Sequence, residues 1–250
     1  MGNTLYMAER EEDSFQRHCR LSKLLTNNNN INIFDVGANI GQSISRYREI
    51  FPNCFITSFE PNPKAFAVLE GGWGGVFGIT LSPIALTNYT GNSSFYATRV
   101  SEASSLLQPT ERMIELSSQH KYDHETIDVS VTTLDQYCEI NDIQHIDILK
   151  LDVQGSELDV LKGAEKLLKA GNITSIYSEI TIAETYKNQA GFVDTIFFLN
   201  NNNYEIWDIG SFLYTRNDRV WAANLTFLHV SASSCIEKAF KDKEVGNDRI

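Results

Sequence analysis

Nine residues, Ile33-Phe34-Asp35-Val36-Gly37-Ala38-Asn39-Ile40-Gly41, constrain this chain more than any others. An apolar run of strand length ends in an acid and two spaced glycines, and a helical pattern begins near Gln42. The glycines supply backbone conformations closed to other residues, so the chain turns sharply and its main chain can approach a ligand at a helix start. This is the first crossover of an α/β fold.

What the loop lacks narrows the ligand. A dinucleotide-binding loop, G-x-G-x-x-G, needs glycines where Asn39 and Gln42 stand, and these side chains would crowd a pyrophosphate. A phosphate loop counted from Gly37 needs a second glycine and then a lysine, and Gln42 and Ser43 stand there. NAD and ATP are therefore disfavoured. An adenosine ligand without phosphates, with a carboxylate for the loop amides and a ribose for a second acid, fits S-adenosylmethionine. Glu60 is that acid. It closes the apolar run Phe55–Phe59 about 25 residues past Asp35, near the ~20-residue offset of a ribose-binding acid in doubly wound sheets.

With 250 residues and 42% hydrophobic content, the chain can bury a substantial core, and no linker separates two domains. The reading is a methyltransferase-type domain over residues 31–230, a helical extension over 1–30 and a peripheral tail over 231–250. No apolar run reaches the ~18 residues of a membrane span, and the acidic start lacks an export signal. Tyr6 stands where a myristoylation motif wants Ser or Thr. A cytoplasmic protein without a membrane partner is expected. Cys19, Cys54, Cys138 and Cys235 lie far apart, so reduced thiols are expected rather than disulfides or a zinc site. A net charge of −11 argues against a nucleic-acid substrate.

Helical spacing from Ala8 to Leu25 predicts an amphipathic helix ended by the Asn27–Asn30 tract. Strands are expected at Ile31–Val36, Phe55–Glu60, Ile79–Leu86, around Phe95-Tyr96 as the second arm of a hairpin, and at Val129–Thr132. Further strands are expected at His145–Val153, Ser175–Ile180, Tyr204–Ile209 and Trp221–Val230. Helices are expected after each glycine or proline turn, one of them unbroken from Ser156 to Ala170. Between Thr98 and Asp128 periodicity weakens, which predicts a lid or substrate-specific insertion. Alternating strands and helices imply a mostly parallel, doubly wound sheet with ligands at the carboxyl ends of its strands. Asp35, Glu60, Asp152 and Glu179 all fall at such ends.

With these segments in view, the chain resembles the FkbM family of methyltransferases. The resemblance runs from about Ile33 to Leu228 and is carried by Phe34–Gly41, Phe59–Pro63, Ala85-Leu86 with Gly91 and Phe95, Ser104–Leu106, Thr133–Asp135, and above all Ile146–Glu157 with Val160–Ala164. It implies a seven-stranded Rossmann-like sheet whose last strand runs antiparallel, and methyl transfer from S-adenosylmethionine to a hydroxyl, often on a sugar or polyketide-type product. The residues expected at the cofactor are Asp35, Gly37, Ala38, Asn39, Gly41, Glu60, Pro61, Ala85 and Asp152.

Lys150 and Asp152 share one face of an apolar strand. As a catalytic group, Asp152 takes or relays the acceptor proton while Lys150 sets its charge; as a structural pair, the two only hold the strand. Glu157 either complements a helix dipole or contacts substrate. Glu179 could be base, acceptor ligand or surface acid. A divalent metal bridging Asp152 and Glu179 is conceivable on ligand chemistry. No histidine has ligand spacing, and His124 is a minor candidate base in the insertion. Three functional readings stay open beside O-methylation of a carbohydrate or secondary metabolite: N-methylation, a cofactor-binding scaffold without catalysis, and an NAD-dependent oxidoreductase.

Overall fold

The computed structural model describes residues 13–26, 30–111, 122–214 and 218–247. Helix α1 (Ser14–Leu25) opens on a capping box in which Asp13 accepts from the Gln16 N–H and the Gln16 side chain returns to the Asp13 N–H; the residues expected to extend it back to Ala8 lie outside the described ones. The first crossover follows as β1 (Asn32–Val36), α2 (Gln42–Ile50), β2 (Phe55–Phe59), α3 (Pro63–Trp73) and β3 (Ile79–Ser82). Asn62 caps α3 ahead of Pro63, whose missing N–H costs nothing at the first helical position.

The chain then leaves the main sheet. Pro83 has no N–H to donate to a ladder, so the strand expected over Ile79–Leu86 splits, and β4 (Ala85–Leu86) joins a separate sheet with β5 (Gly91–Thr98) and β6 (His124–Thr132). The hairpin expected between the 79–86 strand and Phe95-Tyr96 is not formed; β5 pairs antiparallel with β6, from Gly91↔Val131 to Thr98↔His124. Part of the insertion expected over 98–128 is therefore strand, its solvent side too polar to show apolar alternation. Residues 112–121 of it lie outside the described ones.

Next come α4 (Leu134–Ile140), β7 (Ile146–Leu151), α5 (Glu157–Lys162), α6 (Glu165–Lys169) and β8 (Ile173–Thr181). The single helix expected over Ser156–Ala170 is broken between α5 and α6, because the chain at Gly163 lies against the carbonyl of Thr87. A Cβ there would stand 2.1 Å from that oxygen. The chain ends with α7 (Phe192–Asn201), β9 (Tyr204–Tyr214), β10 (Val220–His229) and α8 (Val230–Asn247).

The central sheet has seven strands in the order β3-β2-β1-β7-β8-β10-β9. The first five are parallel, and β10 runs antiparallel to β8 and to β9. The chain winds outward from β1 through β2 to β3, then returns to start the other half at β7, so the winding reverses between β1 and β7. Ligands bind at such a point. Ile146, Ile148, Leu149 and Leu151 of β7 are fully buried, as expected of a strand covered on both faces. One apolar layer, with Val160, Leu161, Leu168 and Leu199, covers one face; the other is formed by Phe15, Cys19, Ile44, Tyr47 and Leu69. Ala232 and Ile236 of α8 pack with Leu21 of α1 and Leu228 of β10. All four cysteines are free, and among the described residues no helix is long and apolar enough to cross a membrane.

His18 of α1 stacks on Tyr177 of β8 with ring centroids 4.9 Å apart, and burial lowers its pKa to about 3. The unfolded chain takes up this proton below about pH 6.5 and the folded chain does not, so the stability present above that pH is lost as the pH falls towards 3. His18→Phe should therefore lose less stability than the parent between pH 7 and pH 4.5, by on the order of 2 kcal/mol. Thermal unfolding at the two pH values checks this; equal losses would remove His18 from the acid response.

Candidate functional site

The loop after β1 is shaped by close approach. Gly37 has φ +79°, and a Cβ on it would lie 2.0 Å from the Asp152 carbonyl oxygen, so the ends of β1 and β7 meet only because that position is glycine. The N–H groups of Gly37 and Ala38 both donate to the Phe59 carbonyl at 3.0 Å, and that of Asn39 donates to Glu60 Oε2 at 2.8 Å. The loop amides expected to face a ligand thus turn inward at these three positions. What remains for an anion is the first turn of α2, whose N–H groups have no intrahelical acceptor. Glu60 also accepts from the Asn62 N–H through Oε1 at 2.8 Å. Burial pushes its pKa up to about 7 against the pull of these two donors.

Lys150 stands directly opposite Asp35 in the β1–β7 register. Its Nζ lies 3.1 Å from Asp35 Oδ1 and 3.6 Å from Asp152 Oδ2, and donates to the Gly37 carbonyl at 3.0 Å. Asp35 is fully buried and also accepts from Ser43 Oγ on α2. Burial works against the ammonium, but Asp35 and Asp152 outweigh it and hold the Lys150 pKa above the ordinary lysine value. Lys150 and Asp152 do share a face, but the nearest carboxylate partner of Lys150 is Asp35, one strand away.

The turn after β7 gathers the remaining acids. Glu157 Oε1 accepts from the N–H groups of Val153 at 3.1 Å and Gly155 at 3.2 Å. It therefore pins the turn, and burial pushes its pKa up to about 7. Glu179, near the end of β8, is pushed up to about 8 by burial and by the charges of Asp152 and Glu157. Gln154 Nε2 donates to Asp152 Oδ1 at 2.8 Å and to Glu179 Oε1 at 3.4 Å. Asp152 and Glu179 are thus joined through an amide, and among the described residues no group of three or more His, Cys, Asp or Glu side chains is placed to hold a metal ion.

A cavity of about 450 Å³ opens over these groups at the carboxyl ends of the strands, a size suited to a small molecule. On the β2 side its wall holds Phe59, Glu60, Pro61, Ile84, Ala85 and Leu86, roofed by residues 101–106; on the β8–β10 side it holds Tyr177, Glu179, Trp221 and Asn224, with Phe15 and Arg46. Gly37, Ala38, Asn39, Lys150 and Asp152 lie between. Of the residues expected at the site, Asp35, Gly41 and Glu157 do not line the cavity and act from behind it. His124 is on β6 with Nδ1 at 3.1 Å from the Tyr122 carbonyl oxygen, and does not line the cavity either. Sequence reasoning did not place Arg46, Trp221 or Asn224 at the site, and none of them lies in the segments that carry the family pattern; the 101–106 roof falls within the lid expected over 98–128, and Gln154 falls within the Ile146–Glu157 segment without a role of its own.

Residues 35–206 match the profile described as the methyltransferase FkbM domain. The chain belongs to the FkbM methyltransferase family. Among curated relatives, 2-O-methyltransferase NoeI of Sinorhizobium fredii is 28% identical over 164 residues, covering 63% of this chain and 66% of that protein. Methyltransferase 1 of Beauveria bassiana is 28% identical over 148 residues, covering 53% of this chain and 58% of that protein. The alignments thus span less than two thirds of either relative. The crystal structure of an FkbM methyltransferase from Methylobacillus flagellatus superposes with a TM-score of 0.52 at 17% identity, covering 80% of this chain and 44% of that one; it shares the fold. The FkbM match begins at Asp35 and includes Lys150 and Asp152.

Removing the ammonium strands a buried acid. Lys150→Met should destabilise the protein by about 3–5 kcal/mol, and adding Asp35→Asn should recover part of that loss. Urea denaturation of the single and double variants measures both; a single variant as stable as the parent would show that Asp35 does not depend on Lys150.

Proposed function

We propose that this chain is an S-adenosylmethionine-dependent methyltransferase of the cytoplasm that methylates a hydroxyl of a carbohydrate or secondary metabolite. The observation that carries this reading is the convergence of the β1 loop, Glu60 and the Lys150–Asp152 pair on one cavity at the reversal of strand order in an FkbM-family chain. The naming of NoeI as a 2-O-methyltransferase supports a hydroxyl acceptor.

The residues present fit the methyl donor. Asn39 Oδ1 is buried without a hydrogen-bond partner among the described residues, an acceptor matched to an α-ammonium, and the first turn of α2 offers N–H groups to a carboxylate. The Glu60 oxygens each hold one N–H and keep a second lone pair for ribose hydroxyls. Phe59, Ile84, Ala85 and Leu86 form an apolar wall for a purine. When bound, the donor supplies an electrophilic methyl group on its sulfonium.

The protein's part is to position the acceptor oxygen and remove its proton as the new O–C bond forms. Asp152 receives that proton. Lys150 orients Asp152 from one side, and Glu179 binds the acceptor from the other. Passing the hydroxyl proton to an Asp152 carboxylate would balance the positive charge that a bound sulfonium donor would bring to the site.

Calorimetric titration with S-adenosylhomocysteine and with S-adenosylmethionine tests the cofactor; micromolar binding of each, about −8 kcal/mol, is expected. No binding of either would overturn the reading and favour a scaffold that keeps the fold without its chemistry. In a screen of hydroxylated sugars read by S-adenosylhomocysteine release, Asp152→Asn should lower turnover by ~10²–10⁴-fold while binding of that product changes only a few-fold. Unchanged turnover would remove Asp152 from the mechanism.

A further inference from the structure

Gln154 sits at a junction that the reading above does not use. It adopts a left-handed backbone with φ +55°, an uncommon conformation for a residue with a side chain, and the strain places its side chain between two strands' ends. Its Nε2 donates to Asp152 Oδ1 at 2.8 Å and to Glu179 Oε1 at 3.4 Å. Its Oε1 accepts from the hydroxyl of Tyr186 at 3.3 Å. Tyr186 is fully buried, and its single hydroxyl proton is shared between Gln154 Oε1 and the nearer Ala103 carbonyl of the roof at 2.8 Å. The Gln154 main chain is tied to the same roof, its carbonyl accepting from Ser105 Oγ at 2.9 Å.

The geometry points to Gln154 as a positioning residue for methyl transfer, holding Asp152 and Glu179 to one amide and joining both to the roof of the cavity through Tyr186 and Ser105. This rests on Asp152 being the proton acceptor. Only an uncharged amide serves here, because it donates to two carboxylates at once while its oxygen takes a hydroxyl. A glutamate would add a third negative charge, and a shorter amide would lose the reach to Glu179. The two oxygens of Asp152 then have separate holders, Gln154 on Oδ1 and Lys150 on Oδ2, which fixes the carboxylate plane toward an acceptor.

The charged and titratable groups around Glu179 are Lys150 and Asp152 from the end of β7, Glu157 from α5, Tyr186 from the loop after β8, and Tyr122 ahead of β6. Its register partner on β10, Asn224, is neutral. Gln154 donates a side-chain hydrogen bond to Glu179, and its loss removes a donor that favours the ionised acid.

The test is a carbon NMR titration of the full chain labelled at the glutamate carboxyl carbons, with Glu179→Gln assigning the resonance. In Gln154→Met, close in size and lacking the amide, the Glu179 titration should move up by about half a unit or more. In Gln154→Asn, whose side chain suits the left-handed backbone, it should move in the same direction. A Glu179 titration unchanged in a folded variant of either kind overturns the proposal. If Gln154→Met does not fold, the Asn variant decides alone. Turnover adds an independent readout: the acidic limb of the kcat/KM profile should move up with the Glu179 titration, and a variant that only lowers thermal stability without moving this limb speaks against a positioning role. Titration with S-adenosylhomocysteine separates the two readings. A shifted Glu179 in a chain that binds no homocysteine product leaves the bridge standing and removes the methyltransferase reading; product binding with an unshifted Glu179 does the reverse.

Discussion

One buried ammonium organises the centre of this molecule. Lys150 Nζ meets Asp35 Oδ1, the Gly37 carbonyl and Asp152 Oδ2, so it ties β1, the loop that follows β1, and the end of β7 at the place where the sheet reverses its winding. A charge buried to this degree is tolerated only with partners on several sides, and those partners are the groups that frame the cavity. Structural and catalytic readings of Lys150 are therefore not alternatives. The pairing with Asp35 fixes the strand ends, and the same nitrogen then lies within reach of Asp152 as a consequence of strand alternation.

Around that centre, acids do the work of holding turns. Glu60 takes the N–H groups of Asn39 and Asn62, and Glu157 takes those of Val153 and Gly155. Each carboxylate satisfies donors that a sharp turn would otherwise leave unpaired. Glu60 still faces the cavity, whereas Glu157 has spent its position on the turn. Buried acids whose pKa values are pushed up by their surroundings mark functional sites only in a probabilistic way. Here geometry separates them: Glu60 and Glu179 line the cavity and Glu157 does not.

The strands of the parallel sheet were legible because each is a short apolar run ended by glycine, proline or an acid, and strands buried on both faces carry that signature locally. The small sheet was less so. Its pairing of β5 with β6 joins segments separated by the whole insertion, and the outer half of β6, Glu125–Asp128, carries a polar pattern that reads as loop. The break between α5 and α6 was hidden too, since Gly163 is conformationally ordinary and yields only to the Thr87 carbonyl pressed against it. Gln154 shows the same limit at the site: its residue type and its neighbours in sequence say nothing of the two carboxylates and the tyrosine that meet it.

The sequence by itself determined the class of fold, the two strand-to-helix turns that build the cavity, and the presence of Asp35, Glu60, Lys150, Asp152 and Glu179 at strand ends, because strand period and glycine geometry are local properties. Only the tertiary structure decided which of these groups touch. That Lys150 finds Asp35, that the loop amides turn onto Phe59 and Glu60, that Glu157 faces a backbone turn, and that Gln154 joins two carboxylates all depend on register between strands and on loops folding back across the sheet edge. Register is set by the packing of both apolar layers at once, a sum over residues far apart in the chain that no local pattern carries.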